Sequence, residues 1–506
     1  MFTLLMASGD AGSQLGPCFR RECDGNPIVM DAKPFRDFLA GGMAVRPIAV
    51  VQDVYRYEPS HPPLYYIVAN LSVGAFGASE FALRLPSALF GILTIPLIFL
   101  LGKRLHSIET GLLAASMFAF GSVEVYYGQE ARMYSMVLFL AVLSTWVLLE
   151  ISDDSKQHRR NDWRWWAFYI ATAAAGMYST TLFVLMFVVH FAIAVERYRD
   201  DSAFLRNWFL STVICSLLFG LFLLARFFQT DPPPSGLYWL AGSRPLIHLI
   251  RMASENMLNL VWVPEIWPYK FIWLAMVLAL LGLFVVIFKG QRMRWLLVWV
   301  TLSPVAVISV DWILGTHASS VNRYYILAGP ALYLLLALGT ELIRPLMLSR
   351  GLALIIILYF AIGGYLTAGG NIRPRLEFKE AARFISQTSE PGDALVLIST
   401  SPPKVLGMIL AYYMDSPAKM TMLQANDGPP VDWVLLADRL RDHDHVVITT
   451  IHSGYKKSPD FIRRVTENVP FLEFVEQRSY RGINVFSFRK KGASHGFHGL
   501  TSRGII

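Results

Sequence analysis

The sequence predicts a polytopic α-helical membrane protein with a soluble α/β domain at its C-terminus, and three observations predict it. Of 506 residues, 54% are hydrophobic and only 16% charged, against about 25% charged in an average soluble protein. The apolar residues gather into long runs. Residues 271–288 and 352–369 contain no charge at all, and each is close to the ~20 residues needed to cross a hydrocarbon core. After about residue 372 the runs give way to short alternating helix and strand signals.

About ten membrane helices are expected, at 82–102, 111–127, 131–150, 165–179, 180–196, 207–227, 269–288, 294–314, 323–343 and 352–369. Orientation follows from charge. Alternate connections (GKRLHS, SKQHRRNDWR, ERYRDDSAFLR, KGQRMR and RPLMLSR) are rich in Lys and Arg, which marks them as cytoplasmic. The pair within 165–196 is short for two crossings, but basic loops on both sides require an even number. The net charge of +8 is spread over these loops, so it is a topology signal and not a nucleic-acid surface. Cys18, Cys23 and Cys215 are too few for a disulfide framework, and Cys215 lies within an apolar helix as a small hydrophobe.

This orientation places residues 1–81 and everything after 370 on the outer face. Residues 1–30 hold neither a signal peptide nor a spanning helix, so a first membrane helix is expected to be missing from this chain. Residues 64–77 are too few and too polar to span, and are expected to lie in the outer interface with their aromatics at headgroup level. Residues 82–370 form the membrane domain. From 371 to 490 come a helix (FKEAARFISQ), a turn (EPGD), strands (ALVLIS, HVVITT), a second helix (FIRRVTENV) and a strand near NVFSF; they predict an α/β domain of about 115 residues. The tail 491–506 is expected to be disordered.

Three outward segments carry polar residues worth weighing. In YEPSHPPLYY, Glu58 and His61 precede the interfacial helix, whose entrance the two prolines set; the plainer reading is a capped helix start with a surface histidine. In YYGQEARMYS, Glu130 and Arg132 lie between two membrane helices, with Glu124 one turn inside the first. Ionisable groups at that depth favour an interior cavity, and a guanidinium suits phosphate through paired bonds. The plainer reading is a local Glu–Arg pair at the interface. In SSVNRYY, Arg323 begins an outer helix end beside Tyr324 and Tyr325, or simply anchors there. Gly-rich phosphate loops, HExxH and paired CxxC are all absent from the sequence.

HPPLYY, then FGASEFALRLPSALFGILTIPLIFLLGKRL, YYGQEARMYS and RYYILAGPALYLLLAL, in that order, resemble the GT-C glycosyltransferases of the protein O-mannosyltransferase type, a branch that includes the aminoarabinose transferases acting on lipid A. The likeness covers roughly residues 31–345. EFKEAARFISQTSEPGDALVLIS is similar to the start of the soluble outer domain of many bacterial members. The resemblance implies transfer of a sugar from a polyprenyl- or dolichyl-phosphate donor to a lipid, glycan or protein hydroxyl. It implies an acidic residue in the first outer loop as base, usually in an Asp-Glu pair. Asp31 stands near that place, followed by Ala32 where the family has Glu, and Asp37, Asp53 and Glu58 are alternatives. It assigns His61, Arg132 and Arg323 to the donor phosphate, and Glu130, Tyr134 and Tyr324 to the cavity. No cofactor is required; some members bind a divalent metal, for which Glu58 and His61 are the local ligands. Nucleic acid is not an expected partner. The rival readings are a transporter or flippase, and a relative that binds lipid-linked sugar without transferring it.

Overall fold

The computed structural model describes residues 28–31, 46–57, 61–152, 162–227, 240–261, 270–288, 293–370, 377–390, 392–399, 409–410, 413–414, 419–424, 433–451 and 458–492. Asp37, Glu58, Cys18, Cys23 and the tail beyond 492 lie outside them. The chain divides into two compact units, residues 43–374 and a second built chiefly from 12–42 with 375–506.

The first unit is helical. Its elements are α1 (Pro47–Tyr57), α2 (Leu64–Phe76), α3 (Glu80–Leu105), α4 (Ile108–Phe120), α5 (Ser122–Gly128), α6 (Tyr134–Ile151) and α7 (Trp163–Met177). They continue with α8 (Val184–Tyr198), α9 (Ser202–Phe227), α10 (Leu246–Leu258), α11 (Lys270–Phe288), α12 (Trp295–Leu314), α13 (Gly329–Glu341) and α14 (Leu346–Ala368). Each of the ten apolar segments expected from sequence has a helical counterpart. Among the described residues six helices are long and apolar enough to cross a membrane, or seven if α4 and α5, bent by 55°, form one span. The bend falls at Gly121, whose missing side chain leaves room for the Glu124 carboxylate against it.

Helix starts follow ordinary capping chemistry. Ser79 accepts from Ala82 N at 3.2 Å to begin α3, and Ser107 accepts from Thr110 N at 2.9 Å to begin α4, each satisfying an amide that has no partner within the helix. Where helices cross closely, glycine makes room. A Cβ on Gly102 of α3 would overlap Gly111 of α4, and one on Gly339 of α13 would overlap the Leu278 carbonyl of α11. Such contacts let helices associate by close packing where lipid removes the hydrophobic incentive.

One end of the bundle is closed by a polar cluster. Glu341 of α13 accepts from Thr110 at 2.8 Å, from Ser107, and stands 3.0 Å from His106 Nε2. Arg104 pairs with Glu150 at 2.8 Å and donates to Leu149 O at 2.8 Å. The loops at α5–α6 and α12–α13 lie at the other end of the same helices.

The second unit is a six-stranded sheet of β1 (Ile28–Asp31), β2 (Ala394–Ser399), β3 (Lys419–Gln424), β4 (His445–Ile451), β5 (Leu472–Tyr480) and β6 (Ile483–Lys490), in the order β1-β3-β2-β4-β6-β5. The three strands β3, β2 and β4 are parallel and the rest antiparallel. α15 (Phe378–Thr388) covers one face; α16 (Trp433–Leu440) and α17 (Ser458–Asn468) cover the other. Because β2 and β4 are sandwiched on both faces, they read as continuous apolar runs, which is why they were visible in the sequence. His445 ties the layers of strands together, with Nδ1 2.7 Å from Asp393 and Nε2 2.7 Å from Ser487 Oγ. Ser487 is 1% exposed within its strand, so this is a structural link. β1 divides the sequence-defined segment 1–81: residues 28–31 pair into this sheet, whereas α1 and α2 belong to the helical unit.

Replacing Gly102 or Gly339 by Val should lower the thermal unfolding temperature in detergent, at a cost of about 1–3 kcal/mol each for overpacking. Gly351→Ala, where a Cβ meets nothing within 4 Å, should leave it unchanged or raise it slightly.

Candidate active site

Arg132 lies in the turn that joins α5 to α6, and its backbone is held before its side chain is. Ser87 of α3 donates its hydroxyl to Arg132 O at 2.8 Å. The hydrogen of Ser87 being so committed, Tyr65 of α2 is the donor across the 2.7 Å Tyr65–Ser87 contact. Burial pushes the Tyr65 hydroxyl above its ordinary value, opposed by the Ser87 bond and by Arg132, so it remains a donor at neutral pH. The neighbouring Tyr66 accepts from Arg132 Nη1 at 3.2 Å. α2 itself is fixed at its head, where Leu64 N donates to Tyr178 O at 3.0 Å. Thus Tyr65 and Tyr66, side by side on one 13-residue helix, hold respectively the backbone and the guanidinium of one arginine.

Arg323 arrives from the far side of the chain. It sits in the middle of three single 3₁₀ turns, Ala318–Ser320, Asn322–Tyr324 and Ile326–Ala328, that connect α12 to α13. Its guanidinium lies over the Tyr324 ring, 5.4 Å from its centre, an arrangement in which planar guanidinium and aromatic face attract. Trp299 Nε1 donates to Leu327 O at 2.7 Å and pins the turn that follows.

The two arginines share a neighbour. Tyr134, at the head of α6, is within electrostatic reach of Arg323, Arg132, Glu130 and Tyr324 together. Tyr127 packs edge-on against Tyr134 with ring centres 4.7 Å apart, and Tyr126 against Tyr127 at 5.2 Å; Arg323 and Glu130 also reach Tyr127. The result is a tyrosine-walled cluster with two guanidiniums and one carboxylate. Of the residues proposed from sequence, it unites Arg132, Arg323, Glu130, Tyr134 and Tyr324. His61 stands half-buried just before α2, five residues from Tyr66.

The proposed carboxylates separate. Asp53 lies half-buried on α1 in the helical unit. Asp31 ends β1, in register with Lys419 of β3, on the sheet of the other unit. Asp37 and Glu58 are outside the described residues. Among the described residues no group of three or more His, Cys, Asp or Glu converges as a metal site.

Besides Glu150, which pairs with Arg104, two buried acids of the helical unit were not assigned to the site from sequence. Glu124 is 8% exposed and stands 2.8 Å from Tyr333 Oη, packed over Gly121 and Gly329. Asp311 is 1% exposed in the last turn of α12. The signal that could have found both is an ionisable residue inside an apolar run, where its cost demands a partner.

The family model for dolichyl-phosphate-mannose-protein mannosyltransferase matches residues 60–225, which include α2, α3, Ser87 and Arg132. The structure is similar to that of ArnT from Cupriavidus metallidurans bound to undecaprenyl phosphate, with a TM-score of 0.52 at 12% identity over 85% of this chain and 88% of that one. It is also similar to the Archaeoglobus fulgidus oligosaccharyltransferase in complex with zinc and sulfate, with a TM-score of 0.47 at 14% identity over 86% and 66% of the two chains. The mycobacterial arabinofuranosyltransferase AftD gives a TM-score of 0.47 at 14% identity over 96% and 41%. No curated protein sequence matches the chain. The class so defined is an integral membrane protein with the GT-C glycosyltransferase fold.

Ser87→Ala should strand the Tyr65 hydroxyl and the Arg132 carbonyl, costing about 1–3 kcal/mol. The measurement is a thermal melt in detergent, with Ser144→Ala, which loses only a bond within its own helix, as the comparison. Equal melting temperatures for the two variants would remove the Ser87 bridge from the account.

Proposed function

We propose that this chain transfers a sugar from a polyprenyl-phosphate carrier to an acceptor hydroxyl at the outer face of the membrane, with inversion at the anomeric carbon. The observation that carries the reading is that Arg132 and Arg323, from two different loops, both lie within electrostatic reach of Tyr134. Two guanidiniums from loops almost two hundred residues apart outweigh the single Glu130 carboxylate in that cluster, a balance that suits an anionic ligand. The family match over 60–225 and the shared fold with a protein crystallised with undecaprenyl phosphate support a lipid phosphate as that anion. A lipid-linked donor also suits a membrane enzyme: its chain stays in hydrocarbon while its headgroup meets polar side chains at the boundary.

In the proposed step the acceptor oxygen attacks the anomeric carbon and forms the new glycosidic bond. The bond from that carbon to the phosphate oxygen breaks, and its electron pair leaves with the phosphate. The acceptor proton passes to a carboxylate, for which Asp31, Asp37, Asp53 and Glu58 are the candidates. Arg132 and Arg323, with His61, stabilise the charge that grows on the departing phosphate, where fixed donors act more strongly than water. Glu130, Tyr134 and Tyr324 line the place where the headgroup rests. Each charge-assisted bond contributes about 1.5–3 kcal/mol, so removing one guanidinium should slow transfer roughly tenfold or more.

The test supplies purified protein with radiolabelled polyprenyl-phosphate sugars and a panel of lipid, glycan and peptide acceptors. Arg132→Ala and Arg323→Ala should each reduce transfer at least about tenfold; full activity in both removes the phosphate site. The variants Asp31→Asn, Asp37→Asn, Asp53→Asn and Glu58→Gln, taken singly, identify the base as the one whose loss costs on the order of 10²–10⁴-fold. Binding of the donor without turnover on any acceptor would mark a binding protein instead.

A further inference from the structure

Asp311 is a buried acid that the proposed reaction does not use, and its surroundings say what it does. Its Oδ1 accepts from Thr316 Oγ1 at 2.5 Å and from Ala318 N at 2.7 Å. Its Oδ2 accepts from Ser319 N at 2.6 Å and from the Ser319 hydroxyl. Its own carbonyl receives Gly315 N at 2.9 Å and Thr316 N at 3.2 Å, the chain reversing there because Gly315 adopts φ +65°, a region open to glycine. A carboxylate offers about four lone-pair positions, and here four donors from one loop engage them. A group so engaged is an anchor for the loop that surrounds it.

The same loop is held from its other side. Ser319 O accepts from Asn256 Nδ2 of α10 at 2.9 Å and from Tyr325 Oη at 3.1 Å. The Ser319 peptide is therefore clamped at both its N–H and its C=O, by groups from three parts of the chain. Further links to the segment before α10 join Gly242 N to Gly315 O at 3.1 Å and His317 N to Leu240 O at 2.9 Å. Four residues beyond Ser319 stands Arg323.

We infer that Asp311, seconded by Asn256, is the positioning residue for Arg323: it fixes the 315–325 loop so that the guanidinium is already presented toward Tyr134 when a phosphate arrives. The inference rests on the phosphate reading of Arg323 given above. Its physical basis is preorganisation. A loose loop must surrender backbone and side-chain freedom on binding, and a loop already tied by buried hydrogen bonds surrenders less. Asp311 touches no substrate in this account and acts only through the loop.

Two measurements on the full-length protein in detergent test it. Amide hydrogen exchange at Ala318 and Ser319 should accelerate at least about tenfold in Asp311→Asn, since the carboxamide puts an N–H against a donor, while exchange in α6 stays at the wild-type rate. Titration with undecaprenyl phosphate should show weaker binding in Asp311→Asn and in Arg323→Ala. The double variant should be no more than about threefold weaker than Arg323→Ala alone, because residues acting as one unit are not additive. If Asp311→Asn fails to fold, Asn256→Ala removes a single donor to the same peptide and should show the same non-additivity at a smaller amplitude. Unchanged loop exchange in either variant, or full multiplication of the two binding defects, overturns the positioning role. Equal binding by wild type and Arg323→Ala overturns the phosphate reading itself, and the two failures are thereby told apart.

Discussion

The hydrogen bond from Ser87 to the carbonyl of Arg132, continued through Tyr65, is the contact on which the candidate site depends. A turn between two membrane helices has peptide groups that no helix satisfies, and at the edge of hydrocarbon it cannot count on water for all of them. The α5–α6 turn meets this demand with a serine from one helix and a tyrosine from another. Each partner is useful beyond its own bond, because the relay fixes three elements to one another while the guanidinium donates to Tyr66. The loop that carries Arg323 solves the same problem differently, gathering its amides and hydroxyls onto the single carboxylate of Asp311. Both arginines are thus presented by backbones that are already hydrogen-bonded, which is the condition for electrostatic stabilisation without reorganisation.

Beneath these loops the bundle is assembled by shape. The crossings at Gly102–Gly111 and Gly282–Gly339 bring backbones together where any Cβ would intrude, and the polar cluster around Glu341 closes the opposite end of the same helices. The apolar outer surface needs no such care, since residues such as Leu217, Leu221 and Ile313 stand largely exposed, as a lipid-facing surface allows. The bend between α4 and α5 is the point at which packing and site meet. Gly121 permits it, Glu124 fills it, and Tyr333 from α13 holds Glu124, so the segment leading to Arg132 is tied to the helix that follows Arg323.

Much of this was legible in the residues. Long charge-free runs such as 352–369 marked membrane helices, and that run, but for its last residue, lies within α14, which is long and apolar enough to span. β2 and β4 announced themselves as apolar runs because both of their faces are covered. β3 (KMTMLQ) and β5 (LEFVEQRSY) were missed for the complementary reason: their polar residues dilute the apolar signal. β1 could not be foreseen at all, since the four residues IVMD become a strand only by pairing with β3, almost four hundred residues later. That pairing is also what sets Asp31 on a sheet, a placement its position thirty residues before HPP did not suggest.

Composition and charge order were enough to determine a membrane bundle and to single out Arg132 and Arg323, because hydropathy and charge act locally and leave their mark in the linear order; the motifs HPPLYY, QEAR and RYY added the resemblance to GT-C glycosyltransferases. The meeting of those arginines around Tyr134, the service of Ser87 and Asp311 to their loops, and the division of the N-terminal segment between two units were decided by the tertiary structure alone. Hydrogen bonds between distant segments depend on where backbones come to rest, and a serine or aspartate in the sequence carries no sign of which carbonyl or amide it will find.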